Sequence, residues 1–274
     1  MRALHRRSIL WAAAAMASAR HVRAQTGELV APDELRVCAD PSNLPFSNER
    51  GEGFENRIAE IIGQALHLPV RYVFFPQGPG FVRNTLNAYR CDLVMGTVAG
   101  DSTMQNTNPY YHTTQVMVYR SQGEPPPTDF DDPRMRELSI GVIARTPPVD
   151  LLARHGLLGR IRSYPLMVDT RHDAPGARMM HDIAAGEIDI GMIGGPFAGY
   201  AIRAQGLPLA LRPIPSEPGL PRMDYRITMG VRPNEPEWRR QINAVIREHE
   251  AEITAVLRDY GVPMLDASGQ LMPP

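Results

Sequence analysis

Apolar and polar positions along this chain switch repeatedly between the alternation of a strand and the three-to-four-residue recurrence of a helix. Leu35-Arg36-Val37-Cys38-Ala39 reads as a short buried strand, ended by Asp40-Pro41. A loop through Asn43, Pro45 and Phe46 follows, punctuated by Gly51 and Gly53. Phe54, Ile58, Ile61, Ile62, Ala65 and Leu66 then recur at helical spacing, which predicts an amphipathic helix closing near His67. Val70 to Phe75 is β-rich and stops at Pro76; Phe81 to Ala88 predicts a second helix, and Asp92 to Met95 a third strand. Val116 to Tyr119 adds another. Strands alternating with helices are the rhythm of a parallel sheet wrapped by helices.

The pattern then repeats as a second α/β unit. Ser121 to Thr128 holds three consecutive prolines and reads as the crossing between two lobes. Ser139 to Ile143 opens the second unit, and Thr146 can cap a helix that starts at Pro147 and ends at Gly156. A helix after Asp173 carries Met179, Met180 and Ile183 on one face, reads as core, and ends at Gly186 before a strand at Ile188 to Ile193. Tyr225 to Val231 is a strand that can return to the first lobe. One long helical pattern, Trp238 to Tyr260, closes the chain, with Asn234 as its cap and Gly261 and Pro263 at its end. The expected organisation is a leader at 1–24, a first lobe at 28–118, a second at 119–224, and a return to the first at 225–274. Two hinge strands would join the lobes, and ligands in such folds sit between them at the carboxyl ends of the strands.

Composition narrows the chemistry. The chain has 274 residues and a formal charge of −1, which gives no global pull toward nucleic acid or membrane. All 29 cationic residues are arginine, so Schiff-base and P-loop lysine chemistry is excluded. Arg2, His5, Arg6 and Arg7 precede the apolar stretch Ser8 to Ala19, and Val22-Arg23-Ala24 offers a cleavage site. That stretch is too short to span a bilayer, so it reads as a removable export signal, with Arg6-Arg7 resembling a twin-arginine motif. Neither stable membrane insertion nor a stable oligomer is expected. Cys38 and Cys91 would meet an oxidising compartment, so a disulfide is open. Against it, Cys91 opens its strand while Cys38 sits late in its own. No metal-ligand spacing, calcium loop or nucleophile elbow is present.

Leu35 to Phe46 (LRVCADPSNLPF) with Gly53-Phe54-Glu55-Asn56 resembles the opening of periplasmic solute-binding proteins of the amino-acid-binding class. Phe81 to Ala88 with Arg90-Cys91-Asp92, Asn106 to Tyr111 (NTNPYY), and Tyr225 to Arg232 (YRITMGVR) are similar to the quinoprotein-dehydrogenase-associated branch of that superfamily. The resemblance runs from about Leu35 to about Asp266 and implies a type II periplasmic-binding-protein fold. It also implies association with a pyrroloquinoline-quinone alcohol dehydrogenase and its cytochrome c. No cofactor is implied in this chain, because the dehydrogenase would hold the quinone and its metal. Amino-acid-binding relatives grip the ligand carboxylate with an arginine after the third strand and its ammonium with an acid in the second lobe. Here those regions read Thr97 to Met104 and Met192 to Tyr200, with neither charge. A desolvated zwitterion needs both, so free amino acids are not the expected ligand.

The candidate ligand- or partner-binding residues are Asp40, Asn43, Phe46, Arg83, Thr97, Asp101, Tyr110, Thr146, Arg171 and Gly195. Asp40, Asn43 and Phe46 follow the first strand, where turn chemistry is the competing explanation. Arg83 would open a helix facing the cleft, or pair with a surface acid. Tyr110 and Tyr111 suit a cleft rim or a partner surface, with packing as the alternative. Thr146 could present helix N–H groups to an anion or simply cap the helix. Arg171 and His172 fall in a loop expected to face the cleft. The expectation is a non-catalytic accessory protein; a receptor feeding an ABC permease is the alternative. An enzyme would need a positioned acid and base, and only Asp40, Asp101 and His172 could be nominated.

Overall fold

A computed structural model describes residues 27–273. The leader therefore lies outside the described residues. The first lobe is built from β1 (Leu35–Ala39), the short β2 (Ser42–Asn43) and β3 (Ser47–Asn48), α1 (Phe54–Leu66), β4 (Val70–Phe74), α2 (Phe81–Asn84), β5 (Leu93–Val98) and β6 (Gln105–Asn106). After β7 (Tyr111–Arg120) the second lobe contains β8 (Ile140–Ile143), α3 (Pro147–Arg154), β9 (Ile161–Tyr164), α4 (Pro175–Ala185), β10 (Ile190–Gly194), α5 (Gly195–Arg203) and β11 (Leu209–Pro213). The chain returns through β12 (Asp224–Val231) and ends in α6 (Pro236–Glu248) and α7 (Glu250–Asp259).

The strands join edge to edge in the order β4-β1-β5-β12-β7-β10-β8-β9. Both ends of that path are parallel, β1 with β4 and β5, and β8 with β9 and β10. The middle is antiparallel, because β7 leaves the first lobe and β12 comes back. Residues Tyr111 to Thr114 of β7 pair with β12, whereas Gln115 onward pairs with β10 and β11. These are the two hinge strands. Leu35, Ile58, Leu93, Met229, Ile242 and Leu257 share one core, while Val116, Tyr164, Met179 and Ile193 share another. The expected fold of two α/β lobes joined by two hinge strands is the one observed.

Several local expectations change. The crossing lies inside β7, near Thr114 and Gln115, rather than at the prolines of Ser121–Thr128. Val116 and Val118 already belong to the second lobe's core, and the carbonyls of Pro126 and Pro127 accept from Arg212 in β11. A strand that runs through both cores carries no change of composition at the crossing. The closing helical pattern is two helices that break at His249, and the residue capping the first is Glu235, not Asn234. The second helix of the first lobe spans only Phe81–Asn84 before a series of turns.

Cys38 and Cys91 form a disulfide, with Cα atoms 5.4 Å apart. The offset that argued against it assumed that Cys91 lies in the strand. It precedes β5, in the segment that covers one sheet face with Phe81, Leu86 and Val94. The Asp92 amide donates to the Arg36 carbonyl, and this brings Cys91 beside β1. Next to it, the buried guanidinium of Arg232 donates to the carbonyls of Leu86 and Cys91 and pairs with Asp92 and Glu235.

Candidate functional site

The carboxyl ends of the strands from both lobes face one another, and side chains from each side already meet there. Asp40, buried just after β1, is held by three donors. Its Oδ1 accepts from the Ser42 amide at 2.8 Å and from the Thr170 hydroxyl at 2.6 Å, and its Oδ2 accepts from the Gln77 amide at 2.5 Å. Thr170 belongs to the second lobe, so this hydrogen bond spans the cleft. Asn43 supports the same wall through its amide nitrogen, which donates to Gln77 Oε1 at 3.2 Å.

Phe46 is the second bridge. Its ring meets Phe197 of α5 edge-on, with centroids 5.2 Å apart and planes at 73°. Phe46 also packs on Phe54, and Phe54 on Tyr260, whose ring stacks on Tyr200 of the second lobe at 6.0 Å. A chain of aromatic rings thus crosses the gap twice. Each such pair contributes about 0.5–1.5 kcal/mol beyond the area that it buries.

Nearer the hinge the lobes touch through backbone. A Cβ on Gly199 of α5 would lie 1.8 Å from the carbonyl oxygen of Gly261, and one on Gly195 would lie 2.4 Å from Pro263. Only glycine permits that approach. Gly195 is therefore a lobe-packing residue, buried against Pro263, Thr113 and Thr114, and does not line the cleft as expected.

Other expected site residues also take structural roles. The Tyr110 side chain is buried and its hydroxyl donates to the Met95 carbonyl, which makes it core rather than rim. Thr146 precedes α3 without capping it through its side chain; its hydroxyl donates back to the Ile143 carbonyl at 2.6 Å. Arg171 is exposed and closes a two-residue pair with Asp169, which holds that carboxyl down at about 2. Thr97 donates to Asp101, which also accepts from the amide and hydroxyl of Thr103, so both organise the turn after β5. Arg83 is exposed within the short α2, folded back toward Gly80. The structure brings Asp40, Asn43 and Phe46 together at the cleft, sets Arg171 beside Thr170 within reach of the Asp40 charge, joins Thr97 to Asp101 at the end of β5, and gives the remaining four structural positions.

One cleft residue was not expected. Glu55, in the first turn of α1, is only 6 % exposed and its carboxyl has no hydrogen-bond partner among the described residues. It lies over the cleft end of β5, where a Cβ on Gly96 would come within 2.2 Å of its Oε1. Burial, with a smaller contribution from the Asp40 charge, pushes its carboxyl up to about 8. Burial thus favours the protonated acid at neutral pH. Nothing in the sequence marks this, because an acid in the first turn of a helix is ordinarily an exposed group that favours the helix dipole. Among the described residues no group of three or more His, Cys, Asp or Glu side chains could hold a metal.

Comparison with known proteins agrees with this geometry. The profile of the bacterial extracellular solute-binding proteins, family 3, matches residues 35–261. The crystal structure of the periplasmic binding protein XoxJ from Methylobacterium extorquens AM1 superposes with a TM-score of 0.72 at 40% identity, over 85% of this chain and 99% of that one. Protein MoxJ of Methylorubrum extorquens is 29% identical over 93% of this chain and 90% of its own length. MxaJ of Methlophaga aminisulfidivorans MPT, at 24% identity and a TM-score of 0.71 over 84% of this chain and all of that one, shares the fold. The architecture is the type II periplasmic-binding-protein fold.

Proposed function

We propose, from the premise that this chain belongs to the bacterial extracellular solute-binding proteins of family 3, that it is a non-catalytic periplasmic accessory protein of a quinoprotein alcohol dehydrogenase system. It holds a segment of the dehydrogenase at the cleft or its rim, during maturation or during assembly with the cytochrome c. The leader at 1–24 takes it to the periplasm, and Arg6-Arg7 fits twin-arginine export. The observation that carries the reading is the pair of contacts across the cleft, Asp40 with Thr170 and Phe46 with Phe197. Side chains of the protein itself meeting across the cleft, with neither clamp charge in Thr97 to Met104 or Met192 to Tyr200, support this reading over a receptor for a free amino acid. The kind of partner follows from the resemblance to the dehydrogenase-associated branch and from the XoxJ and MoxJ relatives.

The test is a pull-down with the tagged mature chain from the periplasm of alcohol-grown cells, alongside a deletion strain. The reading expects a quinoprotein dehydrogenase in the eluate and a lowered dehydrogenase level in the deletion. An eluate without the dehydrogenase, together with a normal dehydrogenase level, overturns it. Glu55 supports a second reading, a receptor passing a small organic solute other than a free amino acid to an ABC permease. A buried carboxyl without a partner at the cleft can donate to, or on ionising pair with, such a solute. A saturable rise in melting temperature with one member of a solute panel would favour that receptor.

A further inference from the structure

Away from the cleft, the second lobe and the C-terminal tail of the first line an apolar pocket of about 310 Å³ that opens to solvent on one side. Ile202 of α5 and Leu211 of β11 wall it on one side, and Val262, Met264 and Leu271 on the other. The tail forms its wall by folding back on itself, with the Met272 amide donating to the Met264 carbonyl at 2.8 Å. The volume is at the lower end of small-molecule sites, about 300–1,000 Å³. Its charged lining residues are Arg203 and Arg258, both exposed, and neither forms an ion pair among the described residues. No acid lines it.

An apolar chamber whose only charges are cationic selects a ligand with an apolar body and one anionic end. Burying the body removes apolar surface from water, while a guanidinium can grip a carboxylate with two parallel hydrogen bonds. A neutral alcohol would leave both cations unused. We propose that the cavity is a binding site for a small amphipathic monocarboxylate, its apolar tail between Ile202 and Met264 and its carboxylate on Arg203 and Arg258. This site is independent of the dehydrogenase partner.

The test uses the mature chain and three probes below their micelle concentrations: decanoate, decanol and decyltrimethylammonium. Calorimetry should find one saturable site for decanoate, at least about tenfold tighter than for decanol, with the ammonium compound weakest. The double variant Arg203→Gln, Arg258→Gln should weaken decanoate by about tenfold or more while leaving decanol unchanged. Both arginines are exposed, so its melting temperature should match the parent's, and Ala210→Phe, which fills the chamber, should weaken decanoate and decanol alike. Equal affinity for decanoate and decanol, no saturable site, or decanoate binding untouched by the double variant would overturn the proposal. So would a short peptide ending in leucine and aspartate that saturates the site where decanoate does not, since the cavity would then take a protein segment.

Discussion

The two places where the lobes touch are built differently. At the front of the cleft, contact rests on one hydrogen bond, Asp40 with Thr170, and on one edge-on ring pair, Phe46 with Phe197, while the Tyr200–Tyr260 stack lies beside the back junction. Beside the hinge, Gly195 and Gly199 let the α5 backbone lie directly on Gly261 and Pro263. The first contact can part at a cost of a few kcal/mol at most, by summing one hydrogen bond and one aromatic pair. The second cannot part without opening close-packed backbone. The difference sets a pivot at the back and a weak closure at the front, which is what two lobes around a cleft need.

The sharpest way to break this comparison is Gly199→Leu. An added side chain has no room at Gly261, so the variant should lose about 3 kcal/mol or more and show a larger radius of gyration. An unchanged melting temperature would mean that the back junction is as loose as the front.

Glu55→Gln tests the cleft wall next. The native carboxyl is raised from 4.5 to about 8, so the folded state holds a proton that the unfolded chain releases as pH rises. Parent stability should therefore fall between about pH 4.5 and 8, by on the order of 5 kcal/mol, and level off above. The glutamine variant should remove that slope and be the more stable protein at pH 8. Denaturant titrations at pH 5 and pH 8 measure both.

Smaller effects belong to the front contacts themselves. Phe46→Ala should cost about 1.5 kcal/mol and increase protease cutting in the loops around the cleft, because it removes the rings' contact with Phe197. Thr170→Val should cost about 1 kcal/mol, since Asp40 keeps the Ser42 and Gln77 amides when the hydroxyl is gone. If either front substitution proved as damaging as Gly199→Leu, the front would not be the weaker contact.

Much of the architecture was legible because it is carried by apolar runs. Leu35–Ala39 and Ile190–Gly194 read as buried strands, and α1 shows its face at every turn. What escaped depends on groups distant in sequence. The crossing in β7 was hidden because both cores accept the same apolar residues. The disulfide is not legible from strand offsets, because Cys91 reaches Cys38 over the sheet face rather than along a strand. Near the cleft, the turn through Asp40, Asn43 and Phe46 was legible from its place after β1. Thr170 and Phe197 were not, because only the closing of two lobes makes them their partners. Tyr225 to Arg232, whose pattern points to the dehydrogenase-associated branch, includes Arg232, whose ion pairs hold the first lobe together. That motif marks kinship more than it marks a contact surface.

The central claim is that the cleft closes on the protein's own side chains. Small-angle X-ray scattering of the mature chain, freed of bound small molecules by unfolding and refolding, tests it directly. The account predicts a profile that matches the closed arrangement and does not change across a panel of periplasmic solutes. An open profile that closes when one solute is added would contradict it.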